Sequence, residues 1–381
     1  MIVLIGARVF DGTQILDGHA VVIEGAAIRA VLPHRFVPNG VRHVQVEGLL
    51  APGFIDVQVN GGGGVLFNDE PTVEGIAAIG AAHRAFGTTG FLPTFITDAP
   101  NRMASAIHAV SDAIRTGTPG VLGIHLEGPF ISPKRPGVHN ASYIRPMTDV
   151  DVALIAQATG GTTLVTLAPE EVPVAMIAEL AAAGVVLAAG HTAATAEDVL
   201  AARAAGLTGF THLFNAMPPL AGREPGPVGA AFDDPEAYAS IIVDLHHVSA
   251  TSLRAALAAR GWKTTILVTD AMPTVGSDIT SFKVPGHTVT LDGTRLSFED
   301  GGLAGAHLDM ASAVRNAVAV LGLPLEAALH MASGAPADFL GLGDMLGRIA
   351  PGFAADLVLL DDNLGVVETW IGGVASREAA A

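Results

Sequence analysis

The sequence predicts an α/β fold in which a parallel barrel of repeated βα units carries a small β domain, and two observations support that expectation. Short apolar, strand-like runs alternate with alanine-rich, helix-like stretches through the middle of the chain, and hairpin-like β segments occupy both ends. Half of the 381 residues are hydrophobic and only 15% are charged, so much of the chain is expected to lie in buried parallel strands and the helices that cover them. The length allows a large barrel core and an accessory domain.

In chain order, Val3-Leu4-Ile5, Val21-Val22-Ile23 and Ile28-Arg29-Ala30-Val31 are β-type runs broken by Asp11-Gly12, Asp17-Gly18 and Glu24-Gly25, the rhythm of hairpins. The far end repeats that style in Ala355 to Leu360 and Val366 to Ile371. One discontinuous β domain over residues 1–51 and 352–381 is therefore expected around a barrel at 52–351. Between these ends, strand-like runs stop at Glu127, at Gly190 before His191, at Thr211 before His212, and at Thr269 before Asp270. Phe282 to Phe298 alternates polar and apolar residues ahead of Asp292-Gly293 and reads as a hairpin inserted beside Asp270. The small, polar tail from Ser376 to Ala381 is expected to fray.

Composition excludes several function classes. Zero cysteines remove disulfides, thiolate ligands and a cysteine nucleophile together, so any metal must take nitrogen or oxygen ligands. A formal net charge of −17 with only 20 Lys and Arg argues against a nucleic-acid partner. No apolar run reaches membrane-span length, and the opening residues lack a basic segment followed by an apolar core, so a cytoplasmic protein without membrane contact is expected. Lys134, Arg135, Arg145 and Arg223 lie in or near the candidate site loops, where a local anion site or plain surface charge are both open readings.

Strand C-terminal ends build the active site of a βα barrel, so Glu127, His191, His212 and Asp270 are expected to converge there. One carboxylate, two imidazoles and a further carboxylate suit a metal-dependent hydrolase. Taken singly, each has a duller explanation. Glu127 could cap a helix or pair with an arginine, His191 could be a loop residue ahead of a Thr195/Asp198 capping box, and Asp270 could be a helix N-cap. His125 shares a strand face with Glu127 and is assigned to packing or support.

Ala51-Pro52-Gly53-Phe54-Ile55-Asp56 resembles the entry pattern of the amidohydrolase superfamily. His125 to Phe130, Gly190-His191-Thr192, Thr211 to Met217 and Val268 to Ala271 resemble the N-acetylglucosamine-6-phosphate deacetylase family, in matching order over roughly residues 1–375. The resemblance implies a (β/α)8 TIM barrel of the amidohydrolase type with a small discontinuous β-sandwich domain. It also implies hydrolysis of the acetamide of N-acetyl-D-glucosamine 6-phosphate. The superfamily usually ends its first barrel strand in His-x-His and holds a second metal there; this chain has Gln58-Val59-Asn60. Amides are poor ligands for divalent transition metals. One divalent ion is therefore expected on Glu127, His191 and His212, Zn2+ first, with Fe2+, Co2+ or Mn2+ also suited to that set.

The resemblance further implies that Asp270 shuttles the proton between water and the departing amine, and that His139 orients the acetyl carbonyl. By the same likeness Asn215, Ala216, Arg223 and His247 meet the sugar phosphate, with the doublet His246-His247 leaving the register open by one. Val138, Leu303, Ala304 and Gly305 would line the sugar. Arg223 would reach in from a neighbouring subunit of a homodimer or a dimer of dimers. Two alternatives stay open: the same reaction on N-acetylgalactosamine 6-phosphate, and a non-catalytic binding protein on this barrel.

Overall fold

The computed structural model describes residues 1–37, 40–158, 160–284 and 286–379. Eight parallel strands run in sequence order around a barrel: β1 Phe54–Val59, β2 Thr88–Ile96, β3 Gly123–Glu127, β4 Thr162–Leu167, β5 Val186–Ala189, β6 Gly209–Phe210, β7 Tyr238–Ile242 and β8 Thr265–Val268. Just beyond β8 the chain turns onto the end of β1. Val59 and Ala271 form a parallel bridge there, the Asp270 N–H donates to Gln58 O at 3.1 Å, and the Asn60 N–H donates to Ala271 O at 3.0 Å.

The strands read as apolar runs because both faces are covered. All nine residues of β2 and all four of β8 are buried. The outer helices present narrow apolar stripes to the barrel, as in Pro100–Arg115, where Met103, Ala106, Ile107, Val110 and Ala113 are buried at helical spacing. Leu92, Leu126, Leu187, Ile241 and Leu267 belong to one continuous core with the helix residues Ile76, Ile177 and Val314.

Both chain ends contribute to two further sheets. One has four strands in the order Ala27–Pro33, His19–Glu24, Ile2–Ile5, Arg42–Gln45; the other joins Val374–Ala375, Val366–Ile371 and Leu357–Leu360 to Leu49–Pro52, Arg8–Phe10 and Ile15–Leu16. Leu4, Val21 and Ile23 of the first sheet pack against Val9, Leu50, Leu357 and Trp370 of the second, which makes a small sandwich with its own core.

Two local expectations need correction. The insertion after Asp270 is a three-stranded sheet, Ser281–Val284, His287–Asp292 and Arg295–Ser297, rather than a single hairpin. Ser281–Val284 precedes the expected hairpin and pairs with His287–Asp292, and Val284, Val289 and Leu296 bury one face against Leu66, Met272 and Ala304. Ser376–Ala379 forms a helical turn whose first N–H donates to Glu368 Oε1 at 3.0 Å, so this part of the tail is tied down. Ala380 and Ala381 lie outside the described residues. Among the described residues no helix is long and apolar enough to cross a membrane.

Candidate active site

Glu127 ends β3, His191 and His212 each lie two residues beyond β5 and β6, and Asp270 lies two beyond β8. The parallel barrel thus delivers all four to one mouth. His191, His212 and Asp270 adopt left-handed backbone angles, with φ of 48°, 33° and 51°. Non-glycine residues rarely take that conformation, and the strain turns each side chain inward as its strand ends. Gly128 follows Glu127 at φ 84°, and a β-carbon there would collide with Thr97 Oγ1. Asp270 starts no helix. The Thr195/Asp198 capping box does form, beginning four residues past His191, so helix cap and site coexist.

The donor atoms of Glu127, His191 and His212 nearly meet. His212 Nε2 lies 2.9 Å from Glu127 Oε1 and 3.1 Å from His191 Nε2, and His191 Nε2 lies 3.2 Å from the same oxygen. Those separations approach the roughly 3.3 Å kept by ligands of a tetrahedral ion with bonds of about 2.0–2.1 Å. Tautomer chemistry points the same way. His191 Nδ1 faces the Arg135 carbonyl at 2.9 Å, which only accepts, so Nδ1 carries a proton and Nε2 is the ring atom aimed at the carboxylate. A cation between Nε2 and the carboxylate oxygen would join them. With protons alone in that role, the burial that would raise the Glu127 carboxyl is outweighed by its His191 and His212 hydrogen bonds, which hold it well below its ordinary range. Burial also opposes charge on His212, but its bond to Glu127 prevails and raises it.

His139 belongs to the same pocket. Its Nε2 lies 3.9 Å from Glu127 Oε2, and its ring centroid lies 4.3 Å from that of His191. Glu127, His139 and His191 each offer a ligand atom within 4.8 Å of one another, while His212 is nearer to both Glu127 and His191. Four side chains therefore surround the position. The Thr97 N–H donates to His139 Nδ1 at 3.2 Å, and Thr97 Oγ1 lies 2.7 Å from it. That places the ring proton on Nε2, which has no hydrogen-bond partner among the described residues. Burial, then the neighbouring His191, holds the imidazole well below its ordinary value and so neutral.

Asp270 lies across the pocket with its carboxyl raised to about 6, chiefly by burial and then by the Glu127 charge. Gln58 Nε2 donates to Glu127 Oε1 at 3.0 Å and reaches Asp270 Oδ1 at 3.2 Å, while Asn60 Nδ2 donates to the same Oδ1 at 2.6 Å. Beneath the site His125 sits between Thr94 and Thr166, 3.2 Å and 2.7 Å from their hydroxyls, and burial lowers it to about 4. It supports the β3 wall from inside the barrel.

Val138, Asn215, Ala216, His247, Leu303 and Gly305 line the cavity with Asn60, His139 and the four converging residues. Ala304 instead packs into the small core beside Met272. His247, not His246, faces the cavity; the His246 ring turns outward to Thr294 Oγ1 at 2.9 Å. Arg223 is exposed on the loop before Gly226–Asp233, forms no hydrogen bond or ion pair among the described residues, and does not line this cavity. Arg145 is held bidentate by Asp151 at 2.6–2.7 Å, and Arg135 enters through its carbonyl. Sequence reading missed Thr97, Asp244 and the donor role of Gln58 and Asn60. Of these only Asp244 carries a local signal, an acid three residues before a histidine.

A closed parallel barrel with these groups at its C-terminal mouth is the arrangement of a hydrolase with a metal-ligand pocket. The amidohydrolase family model matches residues 49–375, the NagA composite domain model matches residues 1–50, and the chain belongs to the amidohydrolase family. Within it, the chain is 42% identical to the N-acetylgalactosamine-6-phosphate deacetylase of Shewanella sp. (strain ANA-3), over 98% of this chain and 95% of that one. It is 34% identical to the N-acetylglucosamine-6-phosphate deacetylase of Haemophilus influenzae, over 97% and 98%. The crystal structure of N-acetylglucosamine-6-phosphate deacetylase from Pasteurella multocida superposes with a TM-score of 0.94 at 33% identity, covering 98% of this chain and 99% of that one.

Proposed function

We propose that this enzyme hydrolyses the acetamide of N-acetyl-D-glucosamine 6-phosphate to D-glucosamine 6-phosphate and acetate. The observation that carries the reading is the placement of a raised carboxyl, Asp270, and a neutral imidazole N–H, His139 Nε2, around the meeting point of Glu127, His191 and His212. Those last three would hold one divalent ion, Zn2+ first among the ions suited to nitrogen and oxygen donors, which when bound acidifies a water and polarises the amide carbonyl. Asp270 takes the proton of the attacking water and returns it to the amine as the C–N bond breaks. His139 donates from Nε2 to the carbonyl oxygen as negative charge develops on it.

Of the residues lining the same cavity, Asn215, the Ala216 N–H and His247 receive the 6-phosphate, while Val138, Leu303 and Gly305 close on the sugar. Arg223 adds a planar, bidentate phosphate donor from the partner chain of a homodimer. N-acetyl-D-galactosamine 6-phosphate is the second reading, favoured by the 42% identity to the Shewanella enzyme of that name. Acetate release from both phosphosugars and from unphosphorylated N-acetyl-D-glucosamine tests the proposal. We expect efficiency on the preferred phosphosugar to exceed that on the plain sugar by about a thousandfold, consistent with two or three charge-assisted hydrogen bonds. Equal efficiency on plain and phosphorylated sugar would remove the phosphosugar assignment. A clear preference for the galacto epimer would select the second reading.

A further inference from the structure

Gln58 and Asn60 stand where a second ion would find imidazoles, and their surroundings give them work of their own. Both are buried, at 1% and 2% exposure. A carboxylate oxygen accepts only from the nitrogen end of an amide, so the contacts to Glu127 Oε1 and Asp270 Oδ1 fix both amide orientations. The other ends, Gln58 Oε1 and Asn60 Oδ1, are buried and find no hydrogen-bond partner among the described residues. Native interiors leave few buried acceptors unpaired. Donation to the carboxylates thus takes precedence over satisfying the amides' own oxygens.

We propose that Gln58 and Asn60 are positioning residues for Asp270 and Glu127, joining the two carboxylates through N–H donors in place of a second cation. The proposal rests on the reading of Asp270 as proton acceptor. The two carboxylates repel across the pocket, and the Glu127 charge acts directly on Asp270. A second divalent ion would quench that repulsion, but it would also occupy Asp270 as a ligand. Neutral amides quench it by dipoles alone and engage one oxygen of Asp270. Oδ1 receives both amides, and Oδ2 makes no hydrogen bond among the described residues, which leaves it free to take the proton of water. The backbone fixes the same geometry: Asp270 N–H to Gln58 O and Asn60 N–H to Ala271 O hold strand β1 and the Asp270 turn in register.

A double-mutant cycle in the metal-loaded, full-length enzyme tests this, with Asn60→Ala, Asp270→Asn and the pair compared by kcat, KM and bound metal. Asn60→Ala is expected to lower kcat by roughly 10- to 100-fold, with KM within about threefold and the metal retained, as for loss of a charge-assisted hydrogen bond that acts after binding. In the Asp270→Asn background the same substitution should change the residual rate less than about twofold, because its target has gone. An equal loss in both backgrounds would overturn the proposal, since Asn60 would then act independently of Asp270. Should Asn60→Ala fold poorly, Asn60→Ser takes its place in the cycle. Gln58→Met, which keeps length and removes the donor, should both lower kcat and speed loss of the ion to a chelator. Unchanged ion release would contradict the bond to Glu127. Retention of full activity by Asp270→Asn would remove the proton-acceptor reading itself, and this proposal with it, whereas additive losses remove the proposal alone.

Discussion

Asp244 holds the His247 ring by a 2.7 Å hydrogen bond between Oδ2 and Nδ1, with both side chains nearly buried. The other oxygen, Oδ1, accepts the backbone N–H groups of His246 and His247 at 2.9 and 3.0 Å. Burial would raise this carboxyl, but the His247 bond and the two N–H groups lower it overall. His247 Nδ1 is therefore committed as a donor, and the ring presents Nε2 to the cavity that it lines. Asp244→Asn keeps the shape and removes the charge. KM for the phosphosugar is expected to rise about tenfold, the scale of one charge-assisted hydrogen bond, with kcat nearly unchanged. Hydrolysis of the unphosphorylated sugar should be unaffected; an equal loss on both sugars would give Asp244 a structural role only.

Asp270→Asn should lower turnover by two to four powers of ten, the usual range for a removed general acid and base. Metal content and the unfolding transition should stay as they were. Activity within a few fold of the parent would place the base elsewhere.

Elemental analysis of the metal-replete protein should find about one divalent ion per chain, because the Glu127, His191 and His212 atoms converge on a single position. A chelator should abolish activity and lower the unfolding temperature, since an ion bound only by the native state stabilises it by mass action. Two ions retained through dialysis would contradict the donor role of Gln58 and Asn60.

Acid stability should report on Asp151. Burial raises its carboxyl, but hydrogen bonds from Arg145 and Thr148 outweigh burial and lower it overall from 3.8. A depressed native-state value stabilises the fold above the unfolded value and loses that contribution as pH falls through the native one. Thermal unfolding followed from pH 6 to pH 2 should therefore show a steeper decline below about pH 4 in the parent than in Asp151→Asn. At pH 7 the substitution should cost about 1–3 kcal/mol, as for a lost hydrogen bond to a charged group. Parallel curves for the two proteins would exclude the pair from the acid response.

Arg223 supplies the test of assembly. It lies exposed and outside its own chain's cavity. Mixing Asp270→Asn chains with Arg223→Ala chains should therefore restore one complete site per heterodimer, each partner supplying what the other lacks. Activity above that of either variant alone, after subunit exchange is verified by mass, is the expected result. No recovery would put Arg223 in no partner's site.

The barrel was legible because parallel strands covered on both faces must be apolar throughout, and runs such as Thr264 to Thr269 end abruptly at a polar residue. The positions of Glu127, His191, His212 and Asp270 followed from that ending. Thr97 was hidden because its partner His139 is 42 residues away, and one threonine after a strand looks like any other. Gln58 and Asn60 were read as missing ligands. Their hydrogen bonds to residues 69 to 212 positions distant exist only once the barrel closes. The extra strand of the insertion, Ser281–Val284, was missed because four residues are too few to show a period.

Closure of the barrel has a consequence for how the enzyme comes into being. The seam between β1 and β8 is the place where Gln58 and Asn60 meet Asp270, a pairing between segments more than 200 residues apart, and contacts of such long range slow folding. A growing chain on the ribosome already holds Glu127, His191 and His212 when residue 212 has emerged, but Asp270 has yet to be made. Asp270 is the last of the four converging residues to be made, so the ability to cleave an amide arrives only with the end of the last strand, as the circle shuts.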